Sequence, residues 1–217
     1  MKIKWLGHSC FILESNSKTT IVTDPYEPSI GIHRINYASD ICTISHNHFD
    51  HNFKDDLNKN CIILDTPIQY EHKDLKIKGF KSYHDKLKGL KRGNNIIFKF
   101  NIDGFNICHL GDLGHLLSKD FIYSLGPIDL LLIPIGGNYT LNGKEAAKLC
   151  KNINSHIIIP MHFGLDNIKI KLDGLENFLI HMDKNLEIGS NIITLENNIK
   201  IIITWLYTKN LILTPLI

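Results

Sequence analysis

Between His46 and His51 the chain reads HNHFDH, three imidazoles and a carboxylate within six residues. A solvated polar loop has no use for that concentration, whereas a divalent metal is bound by these side chains. The histidines at i and i+2, His46 and His48, face the same way where the backbone is extended or turning, which puts both on one metal. Asp50 and His51 lie further along the loop and reach toward a second metal. Two cations sharing a carboxylate hold a water between them and lower its pKa toward neutrality. A hydroxide bridging two divalent metals is then the nucleophile, and Asp50 is the candidate catalytic residue that orients it and carries its proton.

One loop does not supply enough ligands for two metals, so others must come from elsewhere among the twelve histidines and the acids. A His or Asp at the C-terminal end of a predicted strand meets the requirement, because such positions gather at one edge of a sheet. His84 in FKSYHD, Asp112 in ICHLGD and His162 in IIIPMHFG satisfy it.

These motifs, in this order, resemble the metallo-β-lactamase superfamily: HNHFDH, the strand-end His84, the pair Gly111 and Asp112, and the PMH of Pro160 to His162. Within it, WLGHSCF, TDPY, YHDKLKGLKRGNN, HLGDLGH and PIGGNYT are similar to small prokaryotic metal-dependent hydrolases related to L-ascorbate-6-phosphate lactonase. The resemblance covers roughly residues 1–200. It implies His46, His48 and His84 on a first metal, Asp50, His51 and His162 on a second, and Asp112 between them. It also implies an α+β fold, the four-layer αβ/βα sandwich, with a dinuclear metal site at the sheet edges. Asp24, closing TTIVTD, would support the metal loop through hydrogen bonds without binding metal itself. The donor set suits zinc, manganese or iron; the wider superfamily implies Zn2+, the lactonase branch Mn2+.

Other residues carry two readings. His8 in GHS and His115 in GDLGH resemble motif positions near the site and are read as supporting a ligand or facing substrate. His109, three residues before Asp112, points to the other face if its strand stays regular, and is read as either a core residue or a site participant. Tyr139 and Thr140, after the PIGG turn, are candidates to present hydroxyls to substrate or to an oxyanion. Lys91 and Arg92 either meet a phosphate or are solvated. His33, His72, His156 and His181 read as surface or satisfied polar residues.

The elements that must position these side chains are mostly strands. KIKWL, CFILES, TTIVTD, ICTIS and CIILD come first, then KIKGFKSYH, NIIFKF, FNICHL and LLLIP. HIIIPMHFG is a short buried strand ending at a histidine. NGKEAAKLCKNI predicts a helix with a capping box between Asn142 and Glu145, and DGLENFLIHM repeats the device with Asp173 and Glu176. The result is mixed sheet with helices outside, expected as a single hydrolase domain over 1–217. The C-terminal run IIITWLYTKNLILTPLI is read as two short strands around a TKN turn, an edge or a subunit contact, with a homo-oligomer left open.

Of the 217 residues, 43% are hydrophobic and 21% charged, the composition of a globular protein and not of a disordered one. Lys and Arg total 24 against 22 Asp and Glu, so the overall charge advertises no nucleic-acid partner. Five cysteines without a C-x-x-C pair, no signal peptide and no bilayer span predict a reducing cytoplasm. The reaction expected is hydrolysis of a small ester, lactone or phosphate-containing molecule. The alternatives are a di-iron oxidoreductase on the same fold, against which His48 counts because that group usually has glutamate there, and a phosphodiesterase or nuclease.

Overall fold

The computed structural model describes residues 1–32, 38–73, 75–182, 186–188, 192–195 and 203–205. In chain order the first strands are β1 (Lys2–Gly7), β2 (Cys10–Glu14), β3 (Thr20–Thr23), β4 (Ile41–Thr43) and β5 (Ile62–Leu64). Then come β6 (Gln69–His72), β7 (Leu75–Tyr83), β8 (Asn94–Ile102), β9 (Phe105–His109), helix α1 (Lys119–Leu125) and β10 (Leu130–Pro134). The order closes with α2 (Gly143–Ile153), β11 (Ile157–Met161), α3 (Glu176–Leu179), β12 (Leu186–Ile188), β13 (Ile192–Thr194) and β14 (Ile203–Trp205).

Two six-stranded sheets result, β13-β1-β2-β3-β4-β5 and β11-β10-β9-β8-β7-β6. Alternation along the first sheet sends Ile3, Phe11, Ile21 and Ile41 into the core shared with the second sheet, and Leu6, Val22 and Cys42 into a smaller cluster on its other face with Tyr26 and Ile30. In the second sheet β10 and β11 are buried throughout, as strands covered on both faces must be, and Ala146 and Leu149 of α2 join the same core. Pro160 is tolerated because β11 lies at the sheet edge.

Each sheet has parallel strands that end where the site forms. β3 pairs β4 in parallel, with Thr23 opposite Thr43, and β9, β10 and β11 are likewise parallel neighbours. Parallel neighbours end at the same edge, so the loops that follow them are brought side by side. The two sheets are tied together there: the His162 amide donates to the His8 carbonyl at 3.2 Å, and His109 Nε2 donates to the Ser9 carbonyl at 2.9 Å.

The predicted helix from Asn142 is present with its capping box: Asn142 accepts from the Glu145 amide and Glu145 reaches back to the Asn142 amide. The second predicted capping box does not form. Helix α3 starts after Leu175 with no side-chain cap, because the Asp173 backbone is taken by tertiary contacts, its amide donating to Gly136 and its carbonyl accepting from Gly164. Strands β6, β12 and β13 and helix α1 were not read from sequence. α1 is capped by Ser118, which accepts from the Phe121 amide. Of the two strands expected in the C-terminal run, Ile203–Trp205 pairs in parallel with Leu186–Ile188. The TKN turn, the rest of that run and His33 lie outside the described residues.

Candidate metal centre

The seven residues expected as ligands converge at the shared edge of the sheets. His46, His48, Asp50 and His51 sit in the loop after β4, His84 follows β7, Asp112 lies past β9 and His162 follows β11. Asp112 is the centre of the arrangement. Its Oδ2 lies 3.1 Å from His162 Nε2, 3.2 Å from His84 Nε2, 3.3 Å from His51 Nε2 and 3.8 Å from His46 Nε2. Three sets of donor atoms are close enough to hold an ion: His46, His48 and His84; His8, Asp50, His51 and His162; and Asp24, His46 and His51, the last sharing both its histidines with the other two.

Three imidazoles are oriented from behind. His84 Nδ1 donates to the Tyr139 carbonyl at 3.1 Å, and His51 Nδ1 donates to Asp24 Oδ2 at 2.9 Å. His46 Nδ1 meets Ser45 Oγ at 2.9 Å while that hydroxyl donates to Asp24 Oδ2 at 2.6 Å. Carbonyl and carboxylate only accept, so in each ring the proton sits on Nδ1 and the Nε2 lone pair faces Asp112. Asp24 also takes the Ser45 amide on Oδ1 at 2.7 Å. It therefore ties together both ends of the metal loop, from Ser45 to His51.

The turn of Asp112 is equally constrained. Its amide donates to Asn95 Oδ1 at 2.9 Å, and Asn95 Nδ2 donates to Ser82 Oγ and the Leu110 carbonyl. Gly111 has φ of +56°, and a Cβ there would stand 2.3 Å from Asn95 Oδ1 and 2.6 Å from Ser45 Cβ. Only glycine fits both that conformation and that space. His109 accepts from the Gly111 amide on Nδ1 at 3.1 Å. β9 ends at His109, so strand parity does not extend to Asp112; His109 is a buried brace under the Asp112 turn. His8, Asp24 and His162 adopt φ of 52°, 40° and 51°, a left-handed conformation that costs non-glycine residues energy and is retained where the surroundings enforce it.

The electrostatics are those of a site with its positive charge left to be supplied. Burial would raise the Asp112 carboxyl, but His162 and His51 outweigh it and hold its pKa well below the usual carboxylate range. Burial opposes the same shift at Asp50, where hydrogen bonds from His51 and His8 prevail. His46 is held well below the ordinary imidazole value by burial and by His51, and His8 is pushed down to about 4 by burial and by His162. His51 is the exception: burial lowers it, yet Asp112, Asp24 and Asp50 carry its pKa well above the ordinary value. His51 Nε2 and Asp112 Oδ1 are nonetheless buried without a hydrogen-bond partner. A divalent cation satisfies both atoms and the inward lone pairs, so the residues present fit one.

The remaining candidates separate. His8 is in direct contact with the cluster, Nε2 lying 3.0 Å from Asp50 Oδ2. His115 is in none of the donor sets; its Nδ1 donates to the Leu116 carbonyl and its ring packs near Tyr83. Thr140 does not present its hydroxyl, which donates to the Leu141 carbonyl. Tyr139 contributes its carbonyl to His84 and its ring face to Arg92. Ser45, Asn95 and Asp85 were not picked out from sequence. A polar Asn at the head of the apolar run NNIIFKF was the available signal for Asn95, since a fully buried amide needs partners.

Residues 2–162 match the Beta-lactamase superfamily domain. A UPF0173 protein of Pyrococcus furiosus is 30% identical, over 76% of this chain and 84% of the relative. The chain belongs to the UPF0173 family of metal-dependent hydrolases within that superfamily. The UPF0173 chain is also 28% identical to a UPF0173 metal-dependent hydrolase of Thermoplasma volcanium, over 81% of its own length and 88% of that protein. A crystal structure from Thermotoga maritima, of a candidate Zn-dependent hydrolase of the metallo-β-lactamase superfamily, superposes with a TM-score of 0.78 at 37% identity, covering 94% of this chain and 97% of that one. The paired sheets of the UPF0173 chain are thus the αβ/βα sandwich, and the protein is a metal-dependent hydrolase. No helix among the described residues is long and apolar enough to cross a membrane.

Proposed function

We propose that the UPF0173 chain hydrolyses a small ester, lactone or phosphate-containing molecule with two divalent metal ions, held by His46, His48 and His84 on one side and Asp50, His51 and His162 on the other. The observation that carries the reading is Asp112 Oδ2, within 3.1–3.8 Å of four imidazole Nε2 atoms drawn from both groups. Asp112 would thus help hold both ions, which would supply Lewis acidity to the site. When bound, such a pair acidifies a water toward neutral pH and polarises the oxygen of the group under attack.

The protein's own part is to hold donors and move a proton. Asp24, Ser45 and the Tyr139 carbonyl orient His51, His46 and His84 before any ligand arrives, so little reorganisation is left for the reaction. Asp50 has a carboxylate oxygen on His8 and lies 3.4 Å from His51 Nε2. It is the candidate to orient the attacking water and take its proton, and His8 steadies it in that task. Zinc is the first expectation, manganese or iron the others. The motifs shared with the lactonase branch support a lactone among the substrates. The same reading keeps 1–217 as one hydrolase domain, acting in a reducing cytoplasm.

Elemental analysis of protein purified without chelator or His-tag tests this, paired with chromogenic ester, lactone and phosphodiester substrates. About two equivalents of metal with metal-dependent turnover are expected, and Asp112→Ala is expected to lose both together. Turnover by metal-depleted Asp112→Ala protein would sink the mechanism. Two irons with visible absorbance and no hydrolysis would instead favour an oxidoreductase.

A further inference from the structure

Beside the first histidine trio lies a cavity of about 470 Å3, one wall of which is His46 and His48. Its lining also includes two cations from other elements, Lys81 of β7 and Arg92 of the loop before β8. Neither forms an ion pair with a described residue. The acid in the lining, Asp65, is 3.5 Å from Lys54. The lining therefore carries two cations against one carboxylate that already has a partner.

Arg92 is anchored at both ends, which separates it from an ordinary solvated arginine. Its backbone amide donates to Asp85 Oδ2 at 2.8 Å, and the same carboxylate gathers the amides of Leu87, Gly89 and Lys91. The loop from Asp85 to Arg92 is closed around that one side chain. At the far end, the guanidinium carbon stands 3.8 Å over the centre of the Tyr139 ring. Stacking covers the face of a guanidinium and leaves its N–H edge free for an in-plane, two-bonded contact. The rotamer entropy that an arginine usually loses on binding has been spent on folding.

Both anchors also serve the metal site. Tyr139, under Arg92, accepts His84 Nδ1 on its carbonyl, and Asp85, closing the loop, is the residue after His84. The same local structure that aims His84 at Asp112 thus sets the guanidinium at a fixed place beside the reaction centre.

We infer that this cavity binds an anionic group of the substrate, a carboxylate or a phosphate, with Arg92 as its two-bonded contact and Lys81 adding charge. The UPF0173 chain then acts on anionic esters or lactones in preference to neutral ones. Arg92 is a specificity determinant in this scheme. The inference rests on the reading of the histidine cluster as the reaction centre.

Calorimetric titration of the metal-loaded protein with phenylphosphonate, benzoate and neutral benzamide tests the inference without requiring turnover. Arg92→Ala is expected to weaken at least one of the anions about tenfold or more and to leave benzamide unchanged. Arg92→Lys recovers part of the loss, since it keeps the charge but not the planar fork. The anion that depends more on Arg92 distinguishes a phosphate from a carboxylate substrate. Anion affinities unchanged in an Arg92→Ala protein that melts like the wild type would overturn the inference. Should that variant fail to fold, Lys81→Ala and Arg92→Lys decide it: a loss of anion affinity in them supports the cavity, and wild-type affinity in both overturns it. Hydrolysis of the chromogenic substrates, run in parallel, reports separately on the reaction centre. Active protein with Arg92-independent anion binding removes the clamp alone, and inactive protein with Arg92-dependent binding removes the hydrolytic reading alone.

Discussion

At the scale of single residues, the site is decided by what stands behind each ligand. Asp24 takes three donors, the Ser45 amide, the Ser45 hydroxyl and His51 Nδ1. Burial would raise its carboxyl, but the bond from His51 and the nearby His109 hold its pKa below the usual range. Asp24→Ala leaves those donors unsatisfied and His51 free to turn. Metal affinity is expected to fall about 10–100-fold, read by competition with a chromogenic chelator. A cost of about 1–3 kcal/mol in stability is expected alongside it. Unchanged affinity would mean that Asp24 serves folding only. TDPY and HNHFDH were legible as motifs, but that Ser45 links Asp24 to His46 was not, because a lone serine has no pattern of its own.

At the scale of elements, two similar capping patterns had different fates. Asn142 and Glu145 cap α2, whose apolar positions Ala146 and Leu149 enter the core. Asn142→Ala is expected to cost about 1 kcal/mol, seen as a lower denaturation midpoint with no change in metal content, since α2 supplies no residue to the site. A change in metal content would show that α2 supports the centre after all. Asp173 and Glu176 have the same spacing, yet the loops at Gly136 and Gly164 claim the Asp173 backbone. Local propensity yields there to tertiary hydrogen bonds. Strand identity was more faithful, because β3 and β4 send alternate residues to separate apolar clusters and the short apolar runs this requires are visible in the sequence.

At the scale of the whole molecule, the cysteines report on burial. Cys10, Cys42, Cys108 and Cys150 are buried and Cys61 is partly exposed, all five as free thiols. Burial pushes Cys108 and Cys150 up to about 12. A raised pKa leaves almost no thiolate at pH 8, so native protein is expected to react slowly with a thiol reagent, Cys61 first, and all five thiols to react in denaturant. Rapid labelling of more than one thiol in native protein would contradict the packing described. The sequence by itself determined the strand-rich class, the HNHFDH loop and the strand-end positions of His84 and His162, because these are written in local periods and short spacings. Only the tertiary structure decided which of the twelve histidines meet. It set His8 against Asp50, placed His109 beneath the Asp112 turn, left His115 outside the donor sets and laid Arg92 on Tyr139. Apart from the brace of His109, which is local, those contacts join loops that follow different strands, and no local pattern carries the distance between them.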